Sequence, residues 1–295
     1  MSKKAEDIIS KDFVTEGDDV CIAMDAEMFR DLFNLMSALI DTEVQVMIED
    51  EGLRVKQMEE VHVALTDMFV PKTYFRELKA GQKINELRLP VSDIKAVLSR
   101  LSGGDIVKFT VTKDGKLHVE IEGKRLRAFN LPLFESEKLD KRTPRISFNA
   151  RIKTTMEGVL LCIEDAEKLL KRGAKKKESY LAQIKLITTA MGLSIISESE
   201  SGLYSTEGTL TSGWDIMQFD GKLDQRVMMS ISYLIDVVKT VSKVTNVIQI
   251  EMSTDMPLHI IVELPLKGVN LEYWFAPRIE VREETKETVP EKEVG

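Results

Sequence analysis

The residues of this 295-residue chain that could do chemistry are few, and their spacing does not predict a catalytic site. The three histidines, His62, His118 and His259, fall in separate predicted strands and lack the spacing of a metal-binding set. The sequence holds no glycine-rich phosphate loop and no Gly-x-Ser-x-Gly nucleophile motif. Cys21 and Cys162 lie in apolar patterns and are expected to be buried, reduced thiols. The sequence therefore predicts no catalytic residue, no metal and no cofactor, and binding is the chemistry left to consider.

An aromatic segment near the C-terminus carries the candidate binding residues. It reads Leu-Glu-Tyr-Trp-Phe-Ala-Pro-Arg-Ile-Glu over 271–280, and Asp255-Met256-Pro257-Leu258 precedes the strand before it. Tyr273 and Phe275 alternate with Trp274, so they are expected to point to the other side of a sheet and to serve the core. Binding is then expected to rest mainly on Trp274, Ala276, Pro277 and Ile279.

Composition predicts a soluble protein that stays inside the cell. Hydrophobic residues make up 43% of the chain and charged residues 31%, and no apolar run is long enough to span a membrane. The N-terminus shows no signal-peptide core. The net charge of −8 is unusual for a protein that binds nucleic acid, so a DNA-binding role would require local positive charge.

Two halves of the sequence repeat one order of elements: helix, hairpin, further strand, helix, hairpin. The identities barely match between the halves, so only the pattern repeats. In the first half the elements are predicted at 27–40, 44–58, 63–70, 92–101 and 106–122. In the second half they are predicted at 155–170, 183–199, 204–210, 232–244 and 247–265.

This repetition predicts an α+β fold in which two similar domains each pack two helices on antiparallel sheets. A polar stretch that ends in Pro144 suits a connector between them. The expected boundaries are an N-terminal extension over 1–19, domain 1 over 20–131, the connector over 132–145, domain 2 over 146–280 and a charged tail over 281–295.

Four stretches of the sequence resemble the PCNA family of DNA sliding clamps. In the first, residues 52–65, Gly52, Met58 and His62 stand at the glycine, methionine and histidine of the family pattern. Together the stretches keep the family's order over about residues 20–280, and the simple ending is closer to archaeal members. The other three are 130–133 at the start of the connector, 254–258 and 273–280.

The chain also departs from the family pattern. It has an extension before about Asp19, an apparent insertion at Lys171–Lys177 and a tail after Glu280. Trp274 and Phe275 stand where the family has tyrosine and leucine. Both substitutions enlarge the apolar bulk, so the shape of the pocket floor is expected to differ.

The resemblance implies a duplicated clamp fold that assembles into a ring and no enzymatic activity. Such a ring encircles double-stranded DNA without sequence specificity, gives DNA polymerase its processivity and serves replication and repair. The implied partners are the chain itself or its paralogues in a trimer, DNA polymerase, flap nuclease and DNA ligase through PIP-type peptides, and a clamp-loader ATPase. No membrane is implied, and the expected location is the cytoplasm at the nucleoid if the source is archaeal, or the nucleus if it is eukaryotic.

The resemblance also implies a client pocket for an aliphatic plug and aromatic side chains, which requires a preformed apolar cavity. His62 would lie at the mouth of the pocket and meet the client backbone. Packing in a core is the alternative role for several of the other residues. The residues implied are Met58, His62, Val63, Leu65, Leu131, Leu133, Pro257, Trp274, Ala276, Pro277 and Ile279.

Helices of the family line the hole of the ring, which implies contacts between their cations and DNA phosphates. The four helical segments, counted through Lys177, carry a net charge of +3 in a chain of −8. A solvated helix face is the alternative for any single lysine. The residues implied are Arg30, Lys95, Arg100, Lys168, Lys171, Arg172, Lys239 and Lys243.

Ring closure in the family pairs an edge strand of one protomer with an edge strand of the next. The corresponding segments are Lys116–Glu122 and Leu203–Leu210, although a strand inside one chain would show the same alternation. The interface residues implied are Leu117, Val119, Ile121, Tyr204, Thr206 and Leu210.

Three alternatives stay open at the level of sequence. A checkpoint-type clamp or one subunit of a mixed ring would share the fold. An α+β enzyme with a site assembled from scattered residues would need a deep polar pocket with perturbed carboxylates. An interaction scaffold without a DNA role would show no excess of cations on the helices.

Overall fold

The computed structural model describes residues 20–81, 85–112, 115–134, 145–173, 183–198 and 205–278. The first half contains β1 Cys21–Asp25, α1 Ala26–Met36, β2 Glu43–Glu49, β3 Gly52–Met58, β4 Ala64–Pro71, β5 Glu77–Lys79, β6 Glu86–Pro90, α2 Val91–Leu98, β7 Ile106–Val111, β8 Lys116–Glu122 and β9 Arg127–Pro132. The second half contains β10 Ala150–Thr155, α3 Met156–Gly173, β11 Gln183–Thr189, β12 Gly192–Glu198, β13 Ser205–Thr211, β14 Ile216–Gly221, β15 Arg226–Ser230, α4 Ile231–Val241, β16 Val247–Met252, β17 Leu258–Val262 and β18 Asn270–Phe275.

The two halves repeat each other strand for strand. The sheet order β5-β1-β7-β8-β9 of the first half recurs as β14-β10-β16-β17-β18 in the second. The order β4-β3-β2-β6 recurs in the same way as β13-β12-β11-β15. The predicted α+β fold, in which two similar halves combine helices with antiparallel sheets, is therefore confirmed.

One antiparallel pair, β18 with β4, joins the halves into a nine-stranded sheet. In this internal junction Tyr273 lies opposite Thr66, and Trp274 lies opposite Leu65. The five-stranded sheet of the first half ends at β9, and the four-stranded sheet of the second half ends at β13. Neither of these two strands has a second partner among the described strands. By their positions in the repeated strand orders, β9 is the counterpart of β18, and β13 is the counterpart of β4.

The helices form one layer, because α1 contacts both α2 and α4, and α4 contacts α3. Asp25 begins α1 by accepting hydrogen bonds from the backbone N–H groups of Glu27 and Met28 at 3.2 and 3.3 Å. The apolar face of α1 packs on the sheets, where Phe29 meets Phe109 with ring centroids 4.7 Å apart. No helix in the described ranges is long and apolar enough to span a membrane.

The first helix ends at an earlier residue than the periodicity of the sequence predicts. The pattern predicts a first helix to Ile40, but α1 ends at Met36. Ser37 leaves helical geometry while its hydroxyl donates to the Phe33 carbonyl at 2.8 Å. Leu39 and Ile40 stay buried in the turn that follows, so the apolar spacing continues past the end of the helix.

Candidate functional site

A row of side chains runs across the face of the nine-stranded sheet that points away from the helices. Residues directly opposite each other on paired strands share a face. The other face carries Tyr273, whose hydroxyl donates to the Leu35 carbonyl of α1 at 2.6 Å. We call this row the outer row; its members, in order across the sheet, are Arg151, Glu251, His259, Trp274, Leu65 and Met58.

Trp274 lies at the centre of the outer row and is buried, with 7% of its surface exposed. Its indole stacks on the His259 ring with centroids 3.7 Å apart and an interplanar angle of 17°. Phe148, shortly after the connector, tilts against the indole at 5.9 Å. Trp274 therefore belongs to an aromatic floor and does not stand free at the surface.

A tight turn joins β3 to β4. The Glu59 carboxylate is buried and accepts hydrogen bonds from the backbone N–H groups of Val61, Val63 and Ala64 at 2.8, 2.6 and 3.2 Å. His62 takes the left-handed conformation, with φ of 61°. A carboxylate that binds three N–H groups fixes the turn, which leaves the His62 side chain exposed.

The chain after β18 closes a small groove between the two halves. The backbone N–H of Ala276 donates to the Val63 carbonyl at 2.7 Å, and that of Arg278 donates to the Met228 carbonyl at 2.7 Å. We call the resulting cavity of about 230 Å³ the tail groove. Its lining is Val61, Val63, Met229, Ser230, Ser232, Tyr233, Phe275, Ala276, Pro277 and Arg278.

A second, larger groove of about 610 Å³ lies beside the tail groove and shares Val61, Ser232 and Tyr233 with it. We call it the loop groove; Met58 and His62 line it together with residues 38–42. Burial, followed by the nearby Glu59 carboxylate, raises the pKa of the Tyr233 phenol. Tyr233 therefore remains a neutral hydroxyl that can donate or accept at the border of both grooves.

The structure brings some of the predicted client-binding residues together and separates others. Met58 and His62 line the loop groove, and Val63, Ala276 and Pro277 line the tail groove. The buried Leu65 and Trp274 lie side by side in the outer row and line neither groove. The half-buried Leu131, Leu133 and Pro257 line neither groove. Ile279 lies outside the described residues. The assignment of all these residues to client binding stays a prediction.

Several residues of the site are not evident in the sequence. Glu59 holds the turn, Tyr233 and Met229 come from the second half, and Phe148 packs against Trp274. Phe275 is buried as predicted, but it also lines the tail groove at the end of its strand. The strand alternation that assigns Phe275 to the core could not show this second contact.

The predicted DNA-binding cations lie on or just after the helices, and most have acidic neighbours. The charged groups of Arg30 and Asp31 are 3.2 Å apart, those of Lys168 and Asp165 are 3.7 Å apart, and those of Lys239 and Glu167 are 2.5 Å apart. Exposed surface ion pairs of this kind contribute little to stability and leave the cation available.

Lys95, Lys239 and Lys243 line a cavity of about 420 Å³ between α1, α2 and α4. Desolvation lowers the pKa of Lys95, although Asp41 and Asp236 oppose the shift. Arg100 is exposed just after α2. The side chains of Lys171 and Arg172 lie outside the described part of the chain.

The four helices carry a net charge of opposite sign to that of the sequence segments. Within their bounds they contain six cations and eight acids, a net charge of −2. The predicted excess of +3 depended on Arg100 and Lys243, which follow their helices, and on residues 175–177, which lie outside the described residues. A strongly basic helix layer is therefore not observed in the described ranges.

The prediction that Lys116–Glu122 forms an edge of the sheet is wrong. This strand is β8, which pairs with β7 on one side and β9 on the other. Leu117, Val119 and Ile121 are fully buried in the core. The edge strand is instead β9.

The second predicted edge, around β13, does lie at the end of its sheet. Thr206 is half-buried and Leu210 is buried in that strand. Tyr204 lies outside the described residues. Whether β13 forms a subunit contact stays a prediction.

Comparison with known proteins adds relatives over most of the chain, although no family model matches it. The DNA polymerase sliding clamp 1 of Pyrobaculum aerophilum is 24% identical over 260 residues, which cover 87% of this chain and 97% of that protein. The crystal structure of PCNA from Thermococcus kodakaraensis has a TM-score of 0.72 at 16% identity and covers 88% of this chain and 99% of its own. The structure of the FEN-1 C-terminal region bound to A. fulgidus PCNA has a TM-score of 0.70 at 20% identity, with coverage of 88% and 99%.

Proposed function

We propose that this chain, which belongs to the PCNA family of DNA sliding clamps, closes into a ring around duplex DNA and holds DNA polymerase and other enzymes there. The ring contains three chains, and its work is binding without catalysis. The observation that carries the proposal is that each chain has a second pair of strands equivalent to those of its internal junction. The chain already pairs β18 with β4, and it presents the counterparts of those strands, β9 and β13, as edges.

The register of the internal junction supports a register for the contact between chains. Following the strand pairs from each hairpin, Phe129 corresponds to Tyr273, and Thr206 corresponds to Thr66. Because Tyr273 lies opposite Thr66, we infer that Phe129 of one chain lies opposite Thr206 of the next. Unpaired strand edges favour such pairing.

A cavity of about 550 Å³ beside β13 supports the same register. Leu161, Cys162, Asp165 and Gly208 are among its lining residues. Counted from the helix starts, Asp165 of α3 corresponds to Leu35 of α1, which accepts the Tyr273 hydrogen bond in the internal junction. We infer that the Phe129 ring of the neighbouring chain fills this cavity, which we call the edge groove.

The helix layer would then face the hole and the DNA. The near balance of cations and acids on the helices suits a ring that slides, because a closed ring holds DNA by its topology. Few fixed phosphate contacts leave it mobile and blind to sequence. Lys95, Arg100 and Lys243, which are exposed, are the cations we expect to contribute most.

The two grooves suit a client peptide with an apolar plug. Val63, Phe275 and Pro277 offer apolar surface in the tail groove, and the exposed Met58 offers an adaptable contact in the loop groove. Clients of this kind include polymerase, flap nuclease and ligase. A loader ATPase is required because a closed ring cannot thread itself onto DNA.

The mass of the purified protein in solution tests the ring. We expect three times the mass of the 33.4 kDa chain at micromolar concentration. A stable monomer, both alone and with candidate paralogues, would contradict the proposal. Retention on circular DNA, with release when the DNA is cut, would then test whether the ring encircles the duplex.

A further inference from the structure

His259 is a buried histidine whose two ring nitrogens both meet carboxylates. Its Nδ1 lies 2.9 Å from an oxygen of Glu251, and its Nε2 lies 3.1 Å from an oxygen of Glu272. The residue is only 5% exposed. A neutral imidazole donates from one nitrogen, and an ionised carboxylate only accepts. Both hydrogen bonds form together only when both nitrogens carry a proton, so the geometry suits an imidazolium held between two acids.

The neighbouring charges complete this arrangement. Arg151 donates to the other oxygen of Glu251 at 2.8 Å. Glu272, on the next strand, has its pKa lowered chiefly by the hydrogen bond with His259, and Lys56 contributes in the same direction. Arg151 and Lys56 thus place positive charge beside Glu251 and Glu272, respectively. The plane of the His259 ring is fixed by two charge-assisted hydrogen bonds.

That fixed plane is the surface on which the aromatic floor rests. The Trp274 indole lies nearly parallel to the His259 ring at 3.7 Å, and the Phe148 ring stacks on His259 at 5.8 Å with an angle of 24°. A cation against the face of an indole adds electrostatic attraction to the contact. The orientation of His259 therefore sets the orientation of both neighbouring rings.

The other half of the chain offers an internal comparison. Following the strand registers, His118 of β8 corresponds to His259 of β17. His118 is also buried, but the residue opposite it is Asn130, whose amide oxygen lies 2.8 Å from its Nδ1. The stack with a tryptophan is thus found in the second half, directly before the Phe275–Pro277 segment that lines the tail groove.

We propose that His259 is a positioning residue of the client pocket: by fixing Trp274 it sets the course of the adjoining Phe275–Pro277 segment, which lines the tail groove that receives the apolar plug of a client peptide. This inference rests on the proposed client-binding function. A segment ordered in advance loses less conformational entropy on binding. The partner class is a peptide with aliphatic and aromatic anchor residues.

The test compares His259→Ala with the matched control His118→Ala in binding a Gln-x-x-Leu-x-x-Phe-Phe type peptide. We expect the affinity to fall about tenfold or more for His259→Ala, and to change less than about twofold for His118→Ala. The mass of each variant in solution shows whether the ring is intact. An unchanged affinity for His259→Ala in an intact ring overturns the proposal.

A spectroscopic readout follows the stacking itself. Trp214 is 86% exposed and is the other of the two tryptophans, so Trp214→Phe leaves Trp274 as the reporter. A stacked imidazolium quenches indole emission, so adding His259→Ala should increase the emission. If the wild type does not bind the peptide, the client-binding function fails. The Trp274 emission then tests separately whether His259 positions the indole, and an emission unchanged by His259→Ala refutes that role. Should His259→Ala not fold, Glu272→Gln at a half-exposed position carries the same two comparisons.

Discussion

Replacing Phe129 with alanine tests ring closure, because the proposed register places Phe129 of one chain opposite Thr206 of the next. Phe129 is 38% exposed on the edge strand β9, whereas its counterpart Tyr273 is fully buried in the internal junction. A phenylalanine side chain of about 200 Å² would therefore bury roughly 75 Å² more on assembly. At about 25 cal/mol per Å² this amounts to about 2 kcal/mol for each junction.

Three such junctions close a trimer, so Phe129→Ala should destabilise the ring by about 6 kcal/mol, or roughly 10⁴-fold in the trimer association constant. Sedimentation or native mass measurement over a range of protein concentrations gives that constant. Leu223→Ala is the control, because Leu223 is 45% exposed in the turn between β14 and β15, away from β9 and β13. If the Phe129→Ala ring persists at the same concentrations as the wild type, the proposed register is refuted.

Three further predictions concern the pocket and its supports. Trp274→Ala combined with Ile279→Ala should abolish binding of the client peptide while the mass of the ring stays unchanged; retained affinity would exclude this part of the pocket. Glu59→Gln weakens the three N–H bonds of the turn and should lower the free energy of unfolding by about 1.5–3 kcal/mol in chemical denaturation, and a smaller change would show that the turn is held by other contacts. The lowered pKa of Glu272 contributes stability at pH values above the ordinary value of 4.5, and this contribution is lost as the pH falls through the lowered folded-state pKa. Removing the His259 ring should therefore flatten the acid limb of the stability profile, and an unchanged profile would contradict the ion pairing.

The sequence predicted the duplicated fold, because hydrophobic periodicity reports on the core. It did not predict which strand forms the edge of the first sheet. Leu117, Val119 and Ile121 alternate with polar residues, but an inner strand and an edge strand show the same alternation. The true edge, β9, has largely exposed residues and no regular apolar alternation, so periodicity gave no signal for it.

The candidate site was predicted in part, for a similar reason. Short motifs marked residues such as Met58, His62 and Pro277, which line the grooves. Tyr233 joins them from the other half through packing, which no local pattern records. His259 pairs with acids across neighbouring strands, while spacing rules compare residues along one chain. Contacts between strands of different sequence position are the part that only the structure supplies.

The difference between Tyr273 and Phe129 has a mechanical consequence. In the internal junction the Tyr273 hydroxyl is anchored to the Leu35 carbonyl, and the segment after the strand adds a backbone hydrogen bond across the junction, from Ala276 to Val63. Phenylalanine has no hydroxyl with which to form such an anchor. In a ring closed through Phe129, the contact between chains would thus be weaker than the junction within each chain. Force applied by a loader would separate two neighbouring chains, while the two halves of each chain stayed together.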